Sequence, residues 1–234
     1  MLILKKWTKY LLLLILPLMT LVSLAGTSAH AATAIPDISE WQGKLTDKQV
    51  SGLKSQVAFV INRRQYGIGH VDRYASHNTA LYTKYGIPFG EYDFATFSSP
   101  ARAKAEAKTF YQRANPNAQF YVLDYEALHT SRGQSNAAVN AWYNEMHHLT
   151  NKKLVFYSYQ SFATSYATQA RKKFDAQWIA NYSKKPTIQT DLWQFSNHKY
   201  FPALKKHVDA SSILNSKKPL NWWIGGTPNA SANN

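Results

Sequence analysis

Between residues 34 and 210, short runs of β-forming residues alternate with stretches of helical character, and this rhythm constrains the fold more than any other feature of the chain. A strand followed by a helix before the next strand returns parallel to its predecessor, because a hairpin turn is too short to hold the helix. The β-type runs are 34–39, 58–62, 88–95, 119–125, 154–159, 176–180, 188–195 and 207–210. Helical stretches at 47–55, 72–85, 100–114 and 134–149, and one ending near Lys173, separate the first six, whereas little helix lies between the last. Local signals agree. Thr46 or Asp47 can cap the first helix, Ser99 precedes Pro100 at the first position of the third, and Gly86 suits the left-handed end of the second. The pattern predicts an α/β fold, an irregular single-domain β/α (TIM-like) barrel of about eight strands with some helices missing. An open doubly wound sheet fits less well, because no Gly-rich phosphate loop follows the first strand.

At the N-terminus Lys5, Lys6 and Lys9 precede an apolar run that starts near Leu11, is broken by Pro17 and Ser23, and ends in Ala29-His30-Ala31. This is the pattern of a secretory signal peptide, 1–31, cleaved after Ala31; a retained membrane anchor is the competing reading. Removing 31 of 234 residues leaves 203, the size of one domain, with 32–224 as the catalytic barrel and 225–234 as a flexible tail. Taking three lysines from 27 basic residues leaves 24 against 13 acidic ones, a net charge of +11. Such a protein is expected in the secreted or wall-associated space, where anionic wall polymers, lipid headgroups or nucleic acid could meet the basic surface, unless the lysines are simply solvated. Cysteine is absent, which excludes thiol catalysis and Cys-based metal sites. Stability must then come from the core, for which 45% hydrophobic residues suffice in a chain of this length.

With only 13 acidic residues, their positions are informative. Asp37 and Glu40 follow the first β-run, Asp93 lies in the third, Asp124 and Glu126 in the fourth and Asp209 in the last. Those are C-terminal strand ends, the catalytic face of β/α barrels. Asp124 and Glu126 are two apart, so on a strand both side chains point inward into one pocket. Two carboxylates in a poorly hydrated pocket repel, and one keeps its proton near neutrality while the other stays ionised. Glycosidic bond cleavage needs such a pair: an acid for the leaving oxygen and negative charge beside an oxocarbenium-like transition state. A structural ion pair or a metal ligand is the alternative reading of the same Asp-x-Glu. Trp41, Tyr92, Phe94, Tyr125, Tyr157, Trp178, Tyr182 and Trp193 crowd the same segments and suit a sugar cleft, with Phe94 and Phe156 expected in the core.

The chain opens, after the leader, with Asp37-Ile-Ser39-Glu-Trp41-Gln42-Gly43, and this resembles the family 25 glycoside hydrolases, the Chalaropsis-type lysozymes. Matches continue in order through Phe59-Val-Ile61, Gly90-x-Tyr92-x-Phe94, Leu123-Asp124-x-Glu126, Trp178-Ile-Ala180, Leu192-Trp193-Gln194-Phe195 and Val208-Asp209, covering about 34–224. The resemblance implies N-acetylmuramidase activity on peptidoglycan glycan strands, by a monomer with no cofactor and no metal. Glu126 would be the general acid. Asp124 would orient the substrate's acetamido group or stabilise positive charge, Asp37 and Asp209 would complete the acidic floor, and Tyr92, Tyr157, Trp178, Trp193 and Gln194 would line the cleft. One departure is Asp93, where the family often carries His; it either adds charge to the site or, by strand alternation, faces outward, and it is assigned an auxiliary place in substrate binding.

Two rival classes remain at this level. A wall-binding protein without turnover would have no need of four matched carboxylates. A nuclease would fit the basic charge, but no His-Glu-x-x-His cluster is present and the adjacent His147 and His148 do not share a helix face, so nucleic acid is not the expected partner. No Gly-x-Ser-x-Gly elbow supports serine esterase chemistry either.

Overall fold

The computed structural model describes residues 34–225. The strands are β1 (Ile35–Ile38), β2 (Val60–Tyr66), β3 (His70–Val71), β4 (Phe89–Phe94), β5 (Phe120–Asp124), β6 (Lys153–Tyr159), β7 (Ala176–Ala180), β8 (Leu192–Phe201) and β9 (Lys206–Ile213). Their order is β1-β9-β8-β7-β6-β5-β4-β2-β3, and β1 also pairs with β2, so eight strands close a barrel and β3 is appended to β2. Seven barrel strands run parallel; β9 is antiparallel to both neighbours, β8 and β1. The reason is local. Only 202–205 separate β8 from β9, too few for a crossover helix, so the chain must turn back.

The helices are α1 (Asp47–Leu53), α2 (Ala75–Tyr85), α3 (Pro100–Arg113), α4 (Ser135–Leu149), α5 (Gln160–Tyr166) and α6 (Leu220–Ile224). Thr46 caps α1 through a reciprocal pair: its Oγ1 accepts from Gln49 N at 3.2 Å and its N donates to Gln49 Oε1 at 2.9 Å. Gly86 ends α2 at φ 66°, where only glycine is unstrained, and Ser99 caps α3 ahead of Pro100. The fifth helix is shorter than its β/α rhythm suggests and is followed by a 3₁₀ turn, Ala170–Lys173.

Strand alternation divides the apolar residues into two layers. Outside the barrel, α3 buries Ala103, Glu106, Ala107 and Phe110, and α4 buries Ala138, Val139, Trp142 and Met146, spacings that put each set on one helix face against the sheet. Truncating a wholly buried tryptophan such as Trp142 to alanine would cost about 3–5 kcal/mol. Inside lie Ile35, Phe59, Ile61, Phe120, Val122, Val155 and Leu192. The short helix α6 closes the end where the strands begin, with Trp223 stacked on Phe59 at 5.9 Å and edge-on to Phe120 at 5.3 Å. Phe120 also explains Gly90: a Cβ there would lie 2.3 Å from its ring. With that end packed, the open space is left at the other, where the parallel strands finish. The proposed leader and residues 226–234 of the tail lie outside the described residues. Among the described residues no helix is long and apolar enough to cross a membrane.

Candidate active site

At the end of the barrel where the parallel strands finish is a hollow of about 310 Å³, lined by Asp37, Asp124, Glu126 and Asp209 together with Ser39, Trp41, Gln42, Arg63, Tyr92, Phe94, Tyr157 and Trp178. One rule accounts for most of this lining. Inward residues alternate along each strand, so Asp37 follows Ile35, Asp124 follows Phe120 and Val122, and Trp178 follows Ala176. Glu126 reaches the hollow from just beyond β5, which ends at Asp124 rather than extending through both carboxylates. Asp209 arrives differently from the C-terminal strand end expected for it. It lies midway along the reversed β9, paired with Asp37 across the β1–β9 ladder.

All four carboxyls are raised, chiefly by burial. Burial holds the Asp37 carboxyl well above the usual range, and the charge of Asp209 pushes it further. The hydrogen bond that Asp37 and Asp209 share favours the proton on Asp37, and Asp209 itself is raised by burial to about 6. Asp124 is raised by burial, then by Glu126 and Asp37, against the pull of the Arg63 guanidinium. Glu126 is pushed up to about 7, first by burial and then by Asp209, opposed by the Tyr157 hydroxyl. Asp124 Oδ1 and Glu126 Oε2 are buried without a hydrogen-bond partner among the described residues. A buried carboxyl oxygen left unbonded is costly, and it is free to meet a substrate.

Gln194 joins the floor together. Its Oε1 accepts from the hydroxyls of Tyr157 and Tyr182, both at 2.8 Å, and its Nε2 donates to Asp37 Oδ2 at 3.0 Å and to Asp209 Oδ2 at 3.4 Å. Trp178 is fixed by donating its Nε1 to Ser211 Oγ at 2.9 Å, with its ring 4.3 Å from that of Tyr157. Trp41, 80% exposed, stands at the mouth.

Two expected site residues lie elsewhere. Asp93 belongs to the outward set of β4 and is wholly buried behind the barrel wall, where it accepts from Gln65 Nε2 at 2.8 Å and Trp142 Nε1 at 2.9 Å. It touches no substrate space, so its place in substrate binding is withdrawn; its charge reaches the site only as a minor push on Asp124. Trp193 also faces away, on the opposite side of β8 from Gln194, donating its Nε1 to Asn181 O at 2.8 Å. Phe94, expected in the core, is instead half-buried at the rim and stacks on Tyr66 with ring centres 4.4 Å apart.

Arg63 is the residue that sequence reasoning passed over. It is the inward position of β2 after Phe59 and Ile61, a signal that alternation carries, and it brings the sole guanidinium to the lining of this hollow. Asp72 Oδ2 accepts from its Nε at 3.0 Å, and Glu40 Oε1 lies 3.1 Å from its Nη2. Among the described residues no grouping of three or more His, Asp or Glu has the geometry to hold a metal ion.

A buried acid near neutrality, facing further carboxylates in a sugar-sized, aromatic-walled hollow, is equipped for glycosidic bond cleavage. The sequence profile of Glycosyl hydrolases family 25 matches residues 36–204, well over half of the chain. The chain belongs to glycoside hydrolase family 25. It is therefore a glycoside hydrolase. Comparison with curated proteins gives no significant match. Among solved structures, the catalytic domain of an endolysin from a bacteriophage of Listeria monocytogenes is 26% identical, with a TM-score of 0.75 over 83% of this chain and 99% of that one. The bacterial lysozyme from Streptomyces coelicolor is 20% identical, with a TM-score of 0.72 over 85% and 100%. The modular autolysin LytC from Streptococcus pneumoniae, solved in complex with a synthetic peptidoglycan ligand, is 21% identical, with a TM-score of 0.66 over 77% and 46%. The last two likenesses concern the fold alone.

Proposed function

We propose that this family 25 enzyme is an exported peptidoglycan hydrolase that cleaves the bond between N-acetylmuramic acid and N-acetylglucosamine, acting as a monomer without a cofactor. The observation that carries this reading is the Glu126 carboxyl, raised to about 7 with one oxygen unbonded, in the same hollow as Asp124, Asp37 and Asp209. The solved structure that is 26% identical, the catalytic domain of a bacteriophage endolysin, supports the substrate.

In this reading Glu126 gives its proton to the glycosidic oxygen as the bond to the anomeric carbon breaks. Asp124 offsets the positive charge that grows on the sugar ring, directly or by holding the substrate's acetamido group. The Asp37–Asp209 pair keeps negative charge beneath Glu126, which favours the protonated acid before the reaction. Trp41, Tyr92 and Trp178 offer faces to the sugar rings.

The test is digestion of purified peptidoglycan followed by mass spectrometry of the products. Reducing muramic acid ends are expected; reducing glucosamine ends would reassign the bond. Glu126→Gln is expected to lower turnover by about 10²–10⁴-fold with an unchanged circular dichroism spectrum. Turnover at the wild-type rate would remove Glu126 from the acid's place.

A further inference from the structure

Glu126 stands where the sheet no longer holds the chain. β5 ends at Asp124, and the backbone bonds that finish it are Ala95 N to Asp124 O at 2.8 Å and Tyr125 N to Tyr157 O at 3.0 Å. Residues 126–130 lie in no helix or strand, and none of their backbone N–H groups donates to another group among the described residues. A loop without backbone bonds opens easily, yet an acid must stay within hydrogen-bond reach of the atom it protonates. Side chains have to fix it.

The residues that bracket Glu126 do so. Tyr125, grouped by sequence with the aromatics of the cleft, is instead buried in the outer core layer, where Phe97 stacks on its ring at 5.3 Å and Phe162 meets it edge-on at 5.3 Å. Its hydroxyl lies 3.2 Å from Thr130 Oγ1, which lies 3.0 Å from Ser135 Oγ, and Ser135 Oγ donates to Ser131 O at 3.4 Å. That last acceptor sets the direction of the chain. With its own proton committed to a carbonyl, Ser135 accepts from Thr130, and Thr130 accepts from Tyr125. All three residues are buried, although Leu128 and His129 within the loop are exposed. The loop therefore leaves the barrel at Glu126 and is stitched back at Thr130, onto the residue before the acid and onto the start of α4.

We propose that Tyr125, Thr130 and Ser135 are positioning residues for the hydrolysis, their hydroxyl chain closing the loop that carries Glu126 and holding its carboxyl where the glycosidic oxygen arrives. Hydroxyls that each donate to the next strengthen one another, and this chain is sheltered from water. None of the three lines the hollow. They therefore act on where the acid stands and not on how the glycan binds, so their loss falls on kcat and spares KM. This part in the reaction rests on the reading of Glu126 as the acid.

The test is a set of variants of the full chain assayed on soluble glycan fragments, with kcat and KM measured separately and folding checked by circular dichroism. Tyr125→Phe keeps the stacked ring and Thr130→Val keeps the branched shape, but each takes one hydroxyl from the chain. Each is expected to lower kcat about tenfold and to leave KM within about twofold of the wild type. Either change severs the same chain, so the double variant should be no slower than the single ones. Thr130→Ser retains the hydroxyl and should keep the wild-type kcat; if Tyr125→Phe does not fold, the contrast between Thr130→Val and Thr130→Ser decides. Wild-type kcat in a variant lacking a hydroxyl, a raised KM in place of a lowered kcat, losses that multiply in the double variant, or a Thr130→Ser as slow as Thr130→Val would each overturn the proposal. Glu126→Gln tells the two readings apart. Full turnover in that variant would unseat the acid itself, whereas an inactive Glu126→Gln beside a fully active Tyr125→Phe would strike only the hydroxyl chain.

Discussion

The side-chain amide of Gln194 donates to Asp37 Oδ2 at 3.0 Å, although 157 positions separate the two residues along the chain. Because two tyrosine hydroxyls occupy its carbonyl oxygen, the amide can turn only its N–H groups toward Asp37 and Asp209. Those donors favour the charged form of the pair. Replacing Gln194 with methionine removes them, so the pair takes up protons at higher pH. The acidic limb of the kcat/KM profile should move upward by on the order of one pH unit, measured on soluble glycan fragments. A profile of lowered height and unchanged shape would reduce Gln194 to a spacer.

The raised carboxyls also set how stability depends on pH. Asp37 and Asp124 are held well above the usual range, Glu126 and Glu106 near 7 and Asp209 near 6, all chiefly by burial. Their folded values exceed the unfolded ones of about 4. The stability they confer is therefore complete below that range and lost as pH rises through 6 to 7. Thermal unfolding should occur at higher temperature at pH 5 than at pH 8. Glu126→Gln removes one of these groups and should narrow that gap, by about 2–4 °C for each kcal/mol. A gap of the same size in the variant would contradict the assignment.

Asp93 offers the opposite test, of a carboxylate with no part in the site. Asp93→Asn turns an N–H group toward Gln65 or Trp142, both of which already donate. The variant should lose about 1–3 kcal/mol of stability while KM stays at the wild-type value. A raised KM with unchanged unfolding temperature would return Asp93 to the cleft.

Arg63 is expected to act through Asp124. Arg63→Lys keeps a positive charge but loses the planar fork that spans Asp72 and Glu40. An ammonium no longer held in place by both carboxylates sits farther from Asp124 and lets its proton affinity rise, so activity at pH 5 should fall more than activity at pH 7. Equal losses at both pH values would point to general loosening instead.

The amino-acid sequence by itself determined the alternation of strand and helix, the caps at Thr46, Ser99 and Gly86, and the inward direction of Asp37 and Asp124, because period and capping are local properties of the backbone. Strand period also carries the outward direction of Asp93 and Trp193, and the inward direction of Arg63, which lies just beyond the matched Phe59-Val-Ile61. Only the tertiary structure decided the rest. Gln194 meets Asp37 only once β1, β9 and β8 lie side by side. The proton affinities belong to this second kind, since they arise from burial and from charges brought together by closure of the sheet, and no stretch of sequence contains either.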